Sequence, residues 1–186
     1  MDAFMRYVFE AGMLKRVRRS GWWTEKIDSP ESVADHTFRT AIIAFALAKM
    51  EGMDDQKANR VCTAAVFHDM HETRLLDMNK ITARYITVDG SLERKVERDQ
   101  IDGFEPKLKD AFLSTLRLAD DEQTVLKDAD YLECAFQAKE YADIGYPTAK
   151  WVENISRKLQ TKSARAIAAK LAKADSGAWR DGLKKL

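Results

Sequence analysis

One histidine and three acidic residues occupy positions where the hydrophobic pattern of the chain predicts inward-facing side chains. His36 lies on the apolar stripe of one predicted helix, Asp69 and Glu72 continue the stripe of the next, and Asp130 lies on that of a later helix. A carboxylate in an apolar core is costly unless it is paired or binds a metal. Together with His68, the neighbour of Asp69, the group offers two imidazoles and several carboxylates to one ion. This mixed nitrogen and oxygen set suits Mn, Fe, Co, Ni or Zn better than Ca or Mg.

Each of these residues also has an ordinary explanation when it is taken alone. A single histidine on an apolar stripe, such as His36, is more often a hydrogen-bonded core residue than a ligand, and a His-Asp pair arises by chance in many chains. Asp130 could neutralise a buried arginine, and Asp77 could cap a helix. His71 is expected to lie off the ligand-facing side. It is the joint pattern on three helices that indicates a divalent metal site.

Helical periodicity over most of the chain supplies the elements that would hold this site. Apolar residues at three- and four-residue spacing indicate a first helix over 4–14. Ser29 as N-cap and Pro30 in the first turn are start signals for a second. A third is expected to be capped by Asp54 or Asp55. Further helices are predicted near 91–102, 106–117, 121–143, 148–160, 162–174 and 176–185, whereas 76–87 has no clear pattern.

The composition supports the same fold class. The chain has only 8 glycines and 3 prolines in 186 residues, about half of average usage. A β-sandwich or barrel needs many turns rich in these two residues. No repeat or linker divides the chain, so we predict one all-α domain over 1–186 with about seven to nine helices. In this prediction, 148–186 forms a C-terminal helical extension.

Charge, cysteine content and hydropathy narrow the partners and the compartment. Lys and Arg number 31 and Asp and Glu 30, for a net charge of +1, so the chain has no general field for a nucleic acid polymer. Cys62 and Cys134 do not suggest a disulfide framework. The N-terminus does not resemble a secretory signal, and the longest apolar run, 41–48, is too short to cross a membrane. We expect a cytoplasmic protein with a small-molecule partner.

Four motifs resemble those of the HD-domain metal-dependent phosphohydrolases, a superfamily with the signature H…HD…D. They are KRVRRSGW at 15–22, PESVADH at 30–36, HDMHE at 68–72 and KDAD at 127–130. The 5′-deoxynucleotidase branch of that superfamily has the similar strings KRxxRTGW, PESVxDH, HDMAE…GD and KDxDK. The resemblance covers about residues 10–141, which would form the metal-site core of a single HD domain.

The resemblance implies a role for each matching residue. The ligands of one divalent ion (Mn, Co, Fe, Ni, Zn or Mg) would be His36, His68, Asp69 and Asp130. Asp128 competes for the last position, but Asp130 fits both the motif and the inward stripe. Glu72 and Asp77 would be the acid/base pair beside the metal. Arg19, which Arg18 could assist, would bind phosphate, and Trp22 would crowd the sugar and disfavour a 2′-hydroxyl.

Three positions depart from the motifs of this branch. His71 stands where Ala is usual, and Tyr131 replaces the Lys that follows the last ligand. Leu76 replaces the Gly before Asp77. A glycine there permits a tight turn, so leucine could aim the Asp77 carboxylate differently.

The implied reaction is hydrolysis of a deoxynucleoside 5′-monophosphate to a deoxynucleoside and phosphate. Two alternatives remain open at this point. The same site could act on another nucleotide, such as a triphosphate, a cyclic dinucleotide or an alarmone, or the chain could be a non-catalytic helical scaffold whose metal is structural. Related proteins often form dimers, so a homodimer is a further expectation, with 148–186 as the suggested interface.

Overall fold

A computed structural model describes residues 1–87 and 90–183 of the chain, and within these residues the fold is all-α. There is no β-strand in the described part, only a single antiparallel bridge between Arg18 and Ser32. The helices are α1 (Ala3–Ala11), α2 (Val33–Met50), α3 (Asp55–Phe67), α4 (Glu72–Leu75), α5 (Gly90–Gln100), α6 (Pro106–Thr115), α7 (Asp120–Asp143), α8 (Ala149–Ser156) and α9 (Lys162–Leu171). Nine helices in the described residues agree with the predicted seven to nine.

Local capping signals explain where the two helices nearest the site begin. Asp54, one of the two predicted caps, accepts the Lys57 backbone N–H at 2.7 Å and starts α3. The start of α2 was predicted too early. Ser32, not Ser29, is its N-cap: the Ser32 hydroxyl and the Asp35 carboxylate each accept the other residue's backbone N–H, a capping box. The 30–32 segment stays extended because Ser32 bridges to Arg18.

Helices α2, α3 and α7 pack side by side and carry the main core. Many of the buried positions between them are alanine, which lets the helix backbones approach closely. Fully buried examples are Ala44 and Ala48 on α2, Ala58 and Ala65 on α3, and Ala129 and Ala135 on α7. This close packing brings the inward polar residues of the three helices within reach of one another.

The C-terminal helices complete this core rather than extend away from it. Val152, Ile155, Leu159, Ala168 and Leu171 are buried in the same cluster as the residues of α2, α3 and α7. The helices found here are shorter than those predicted from the sequence. For the predicted 176–185 helix, the structure has only a 3-10 turn at Ala178–Arg180, and 184–186 lie outside the described residues.

A smaller cluster anchors the N-terminal segment that enters the site. Tyr7 of α1 packs edge-on against Phe104 and Phe112, and Leu14 and Val17 are buried in the same cluster. The segment that follows, 18–25, is held against the start of α2. No described helix is long and apolar enough to span a bilayer.

Candidate metal centre

The four predicted ligands converge, although they come from different parts of the chain. His36 projects from α2, His68 and Asp69 directly follow α3, and Asp130 projects from α7. His36 Nε2 lies 3.1 Å from Asp130 Oδ1 and 3.7 Å from Asp69 Oδ2. His68 Nε2 lies 3.2 Å from the same Asp69 oxygen. Two imidazole nitrogens and two carboxylates therefore surround one point.

Both histidines are oriented by a partner on the other ring nitrogen. His68 Nδ1 is 2.7 Å from the Ala65 carbonyl oxygen, and His36 Nδ1 makes a very short contact with a Glu133 carboxylate oxygen. Since a carbonyl and a carboxylate can only accept, each ring donates from Nδ1, and Nε2 is the nitrogen that faces the other candidate ligands. This is the second-sphere arrangement that prepares histidines to bind a metal.

Unpartnered buried atoms show that this point suits a cation. His68 Nε2 and Asp69 Oδ2 are buried and make no hydrogen bond to any described residue. Buried polar atoms are normally satisfied, and a divalent ion would satisfy both. Although burial raises the pKa of the Asp130 carboxyl, contact with His36 lowers it well below its usual range overall. The donor set and its charge thus fit a divalent metal.

Glu72 is a buried carboxyl beside this ligand set. Only 9% of its surface is exposed, and its Oε2 makes no hydrogen bond among the described residues. Ligand atoms of Asp69, His71 and Glu72 lie within 4.8 Å of one another. Burial, followed by repulsion from Asp69 and Asp77, raises the pKa of Glu72 to about 9. Glu72 is therefore a group that can hold a proton next to the centre.

Asp77 faces the centre through Arg19. The Asp77 carboxylate accepts from Arg19 Nη1 at 3.1 Å and from the Ser20 backbone N–H at 2.5 Å. Arg19 Nη1 is also 3.9 Å from Asp69 Oδ2. Leu76 adopts φ +64°, the left-handed region that favours glycine. The turn therefore keeps a glycine-like conformation, and Asp77 points toward the site despite the leucine.

Two of the predicted substrate-side residues differ from Arg19 in their placement. Arg18 is exposed, its Nη1 donates to the Pro30 carbonyl at 3.0 Å, and it does not line the cavity. Trp22 lines the cavity but is 1% exposed. Its Nε1 donates to the Glu31 carboxylate, whose pKa burial and nearby Glu133 raise to about 7. The geometry brings Arg19 to the centre, whereas Arg18 is held on the outside.

Asp128 and Asp130, the two candidates for the last ligand position, face different parts of the structure. Asp128 is fully buried and accepts the backbone N–H groups of Gln160 at 3.0 Å and Thr161 at 2.6 Å. It therefore anchors the start of α9. Asp130, two residues later, turns to the opposite side and meets His36.

An open cavity of about 900 Å³ extends from the ligand set. This is near the upper end of the range for small-molecule sites. Its wall combines acidic, aromatic and basic side chains. The lining includes Arg19, Trp22, His68, Asp69, His71, Glu72, Asp77, Lys80, Glu93, Lys127, Asp130, Tyr131, Trp151, Asn154 and Lys158.

The sequence patterns missed the residue that orients His36. Glu133 is fully buried, and its second oxygen accepts from Arg39 Nε at 2.8 Å. Arg39 in turn donates to Gln137 and Glu140 of α7 at 2.8 and 2.7 Å. The available signal was spacing, because Glu133 stands one helical turn after Asp130 and so shares its face. Trp151, which packs on Trp22 with ring centroids 4.5 Å apart, had no such signal.

Comparisons with known proteins agree with this geometry. A mouse (Mus musculus) protein, 5′-deoxynucleotidase HDDC2, is 31% identical over 147 residues, covering 75% of this chain and 70% of that protein. A crystal structure from a genomics project is 37% identical and superposes with a TM-score of 0.81, covering 96% of this chain and 99% of that one. The HD phosphohydrolase DatZ of cyanophage S-2L, bound to dA and one catalytic Zn²⁺ ion, is 16% identical, covers 89% of this chain and 93% of that one, and has a TM-score of 0.56; it shows likeness of fold.

A family model also matches most of the chain. The HD domain model matches residues 11–172, which span every ligand candidate and most of the C-terminal helices. His36 and the His68-Asp69 pair, which match the H…HD signature, lie at the centre described above. The chain therefore belongs to the HD domain family.

Proposed function

We propose that the protein is a metal-dependent phosphomonoesterase that hydrolyses deoxynucleoside 5′-monophosphates to a deoxynucleoside and phosphate. The observation that carries this proposal is one cavity holding three things: a metal-type ligand set, the buried carboxyl of Glu72 and the guanidinium of Arg19. A relative that covers most of the chain is named a 5′-deoxynucleotidase, which supports the choice of substrate.

Each residue around the centre has a distinct part in this proposal. His36, His68, Asp69 and Asp130 would hold the ion. When bound, a divalent metal supplies positive charge that offsets the repulsion among these carboxylates, lowers the pKa of water and neutralises the phosphoryl oxygens.

Glu72 and Arg19 perform the remaining tasks. Glu72, buried next to the ligands, is the base in this proposal: the charge of the bound ion would favour its ionised form, which takes up the proton of the attacking water. Arg19 binds phosphate oxygens through its planar guanidinium, and Asp77 keeps that guanidinium turned toward the centre. Both carboxylate oxygens of Asp77 act as acceptors, for Arg19 and for the Ser20 N–H, so the proton taken up by Glu72 would pass to the leaving 5′-oxygen. Trp22, packed rigidly in the wall, limits the room for a 2′-hydroxyl.

The open cavity favours an enzyme over a scaffold with a structural metal. Structural metal sites are usually closed by protein ligands, whereas catalytic sites keep an open position. Here the ligand set is the floor of a cavity, and Glu72 keeps one carboxylate oxygen without a partner among the described residues.

A phosphate-release assay tests the proposal. Protein stripped of metal and resupplied with Mn, Co, Fe, Ni, Zn or Mg should release phosphate from deoxynucleoside 5′-monophosphates faster than from ribonucleotides. The metal that restores most activity identifies the preferred ion. Absence of phosphate release from every monophosphate with every metal would refute the nucleotidase proposal. Hydrolysis only of triphosphates, cyclic dinucleotides or alarmones would assign the site to that class of substrate instead.

A matched pair of variants tests the role of Glu72. Glu72→Gln should lower kcat by about 10²- to 10⁴-fold, the usual contribution of a general base, while the bound metal content stays unchanged. Glu93→Gln removes a carboxylate from the same cavity wall and should lower kcat less than threefold. Loss of metal from Glu72→Gln would make Glu72 a ligand instead.

We also propose that two copies associate, through a face other than the one suggested by the sequence. The large apolar residues of 148–171 are buried in the core or packed against it, but Phe9 of α1 and Phe38 and Ile42 of α2 are 71%, 71% and 54% exposed. The last two line an apolar groove of about 790 Å³. Exposed apolar patches of this kind mark association surfaces. A dimer by light scattering that becomes a monomer in Phe38→Glu/Ile42→Glu supports this face; a wild-type monomer refutes it.

A further inference from the structure

The wall of the cavity carries three lysines that the proposed reaction does not use. Lys80 follows Asp77 by three residues, Lys127 precedes Asp130 by one turn of α7, and Lys158 lies just beyond the end of α8. All three line the cavity that contains the metal ligands. They come from three separate segments, so only the tertiary fold brings them together.

These three lysines have no acidic partner among the described residues, whereas several other surface lysines do. Lys49, Lys57, Lys109 and Lys139 each lie within 4.0 Å of a carboxylate. Among residues 1–87 and 90–183, no carboxylate lies within that distance of Lys80, Lys127 or Lys158. In the same cavity, by contrast, Arg19 is paired with Asp77. The three ammonium groups are therefore the positive charges that remain available to a ligand.

The position of Lys158 is held by its surroundings. Its Nζ lies 5.3 Å from the centroid of the Tyr131 ring, within the range of a cation–π contact. Tyr131 directly follows the ligand Asp130 and replaces the lysine of the related motif, so the Lys158 ammonium sits over the residue that departs from that motif. Contact with Lys80, then burial, lowers the pKa of Lys158, and Lys127 adds to the effect. Like charges are gathered here without compensation, and an anion between them would relieve their repulsion.

We propose that Lys80, Lys127 and Lys158 form an anion subsite that binds the additional phosphates of a nucleoside 5′-di- or triphosphate whose first phosphate lies at the metal centre. The metal end already has Arg19 for the first phosphate, and the lysines begin one helical turn away from Asp130. The subsite rests on the proposed nucleotide-binding role of the cavity, and it extends the ligands of that cavity from monophosphates to polyphosphates.

Equilibrium binding separates this subsite from the chemistry. Glu72→Gln protein loaded with Mn²⁺, used to prevent turnover, is titrated calorimetrically with dAMP, dADP and dATP, with Mn²⁺ in both solutions. We expect dADP and dATP to bind at least tenfold more tightly than dAMP. Adding Lys80→Ala and Lys158→Ala should weaken dATP binding at least tenfold and dAMP binding less than twofold. These side chains are exposed, so the fold should tolerate their loss.

A charge-matched control is available on α9 and just after it. Lys170→Ala with Lys173→Ala removes the same two charges from exposed positions outside the cavity and should change neither affinity by more than twofold. Equal affinity of the parent protein for dAMP and dATP would overturn the subsite. So would an equal loss of dAMP and dATP affinity in the cavity variant, or a loss of dATP affinity in the control that matches the loss in the cavity variant. Lysine-dependent binding of dATP without binding of dAMP would refute the monophosphatase proposal and leave the subsite standing.

Discussion

The carboxylate of Glu133 is the most informative single group to perturb, because it touches the centre only through His36. Its Oε2 contacts His36 Nδ1, its Oε1 accepts from Arg39, and none of its surface is exposed. Glu133→Gln keeps the size of the side chain but removes the charge. It also offers His36 an amide whose N–H₂ and oxygen can exchange places. The tautomer that leaves His36 Nε2 free for the ion is then no longer enforced.

The expected size of the effect follows from this arrangement. Loss of a second-sphere partner of a metal-bound histidine typically lowers metal affinity 10- to 100-fold, which is about 1.4 to 2.7 kcal/mol. The low exposure of Glu133 places this variant toward the upper end, because no water can replace the lost acceptor. Arg39 keeps its bonds to Gln137 and Glu140, so the protein should remain folded.

Competition with a fluorescent metal chelator, using Mn²⁺ or Zn²⁺, measures this affinity directly. Glu140→Gln is the matched control, since Glu140 binds Arg39 but lies outside contact with His36 and is 43% exposed. The control should change the metal dissociation constant less than twofold. Glu133→Asp should bind the metal more weakly than the wild type, because the shorter aspartate carboxylate reaches His36 less well. Unchanged affinity in Glu133→Gln, with circular dichroism like that of the wild type, would show that the tautomer of His36 is set by something else.

Three further predictions concern stability. Leu76→Gly should have a free energy of unfolding in urea about 1 kcal/mol higher than that of Leu76→Ala, because φ +64° strains any residue with a side chain by about 1–3 kcal/mol. Alanine is usually the more stable of the two, and finding that order here would exclude backbone strain at this position. Asp128→Asn should cost about 2 kcal/mol and lower Tm by about 4–8 °C, since its carboxylate accepts backbone N–H groups before α9; an unchanged Tm would contradict that anchoring role. Burial raises the pKa of Glu10, but hydrogen bonds, first from Arg74, lower it overall. Glu10→Gln should therefore be less stable than wild type at pH 7, with the difference in unfolding free energy vanishing as pH falls through the lowered pKa; a difference independent of pH would refute this linkage.

The convergence of the proposed ligands could be predicted from the chain because metal chemistry leaves local marks. Burying several acidic side chains on apolar helix faces costs too much free energy to occur by accident. A His-Asp pair at the end of a helix is visible in the sequence without knowledge of the tertiary contacts. The all-α class was predictable for the same reason, since periodicity and low glycine and proline content are local properties. Boundaries were less secure: the bridge between Arg18 and Ser32 delays α2 by three residues, and that bridge is a tertiary contact.

Tertiary structure alone decided which partner each inward group meets. Periodicity states which face of a helix points inward but not which helices meet there. For that reason the pairing of α2 with α7 through His36 and Glu133, the contact of Arg18 with Pro30, and the contact of Asp128 with the segment before α9 came only from the fold. The same holds for the three lysines, whose segments are far apart in the chain but line one cavity. The sequence determined the class of fold and the chemistry of the proposed ligands, and the packing of α2, α3 and α7 determined how those side chains are oriented and what else surrounds them.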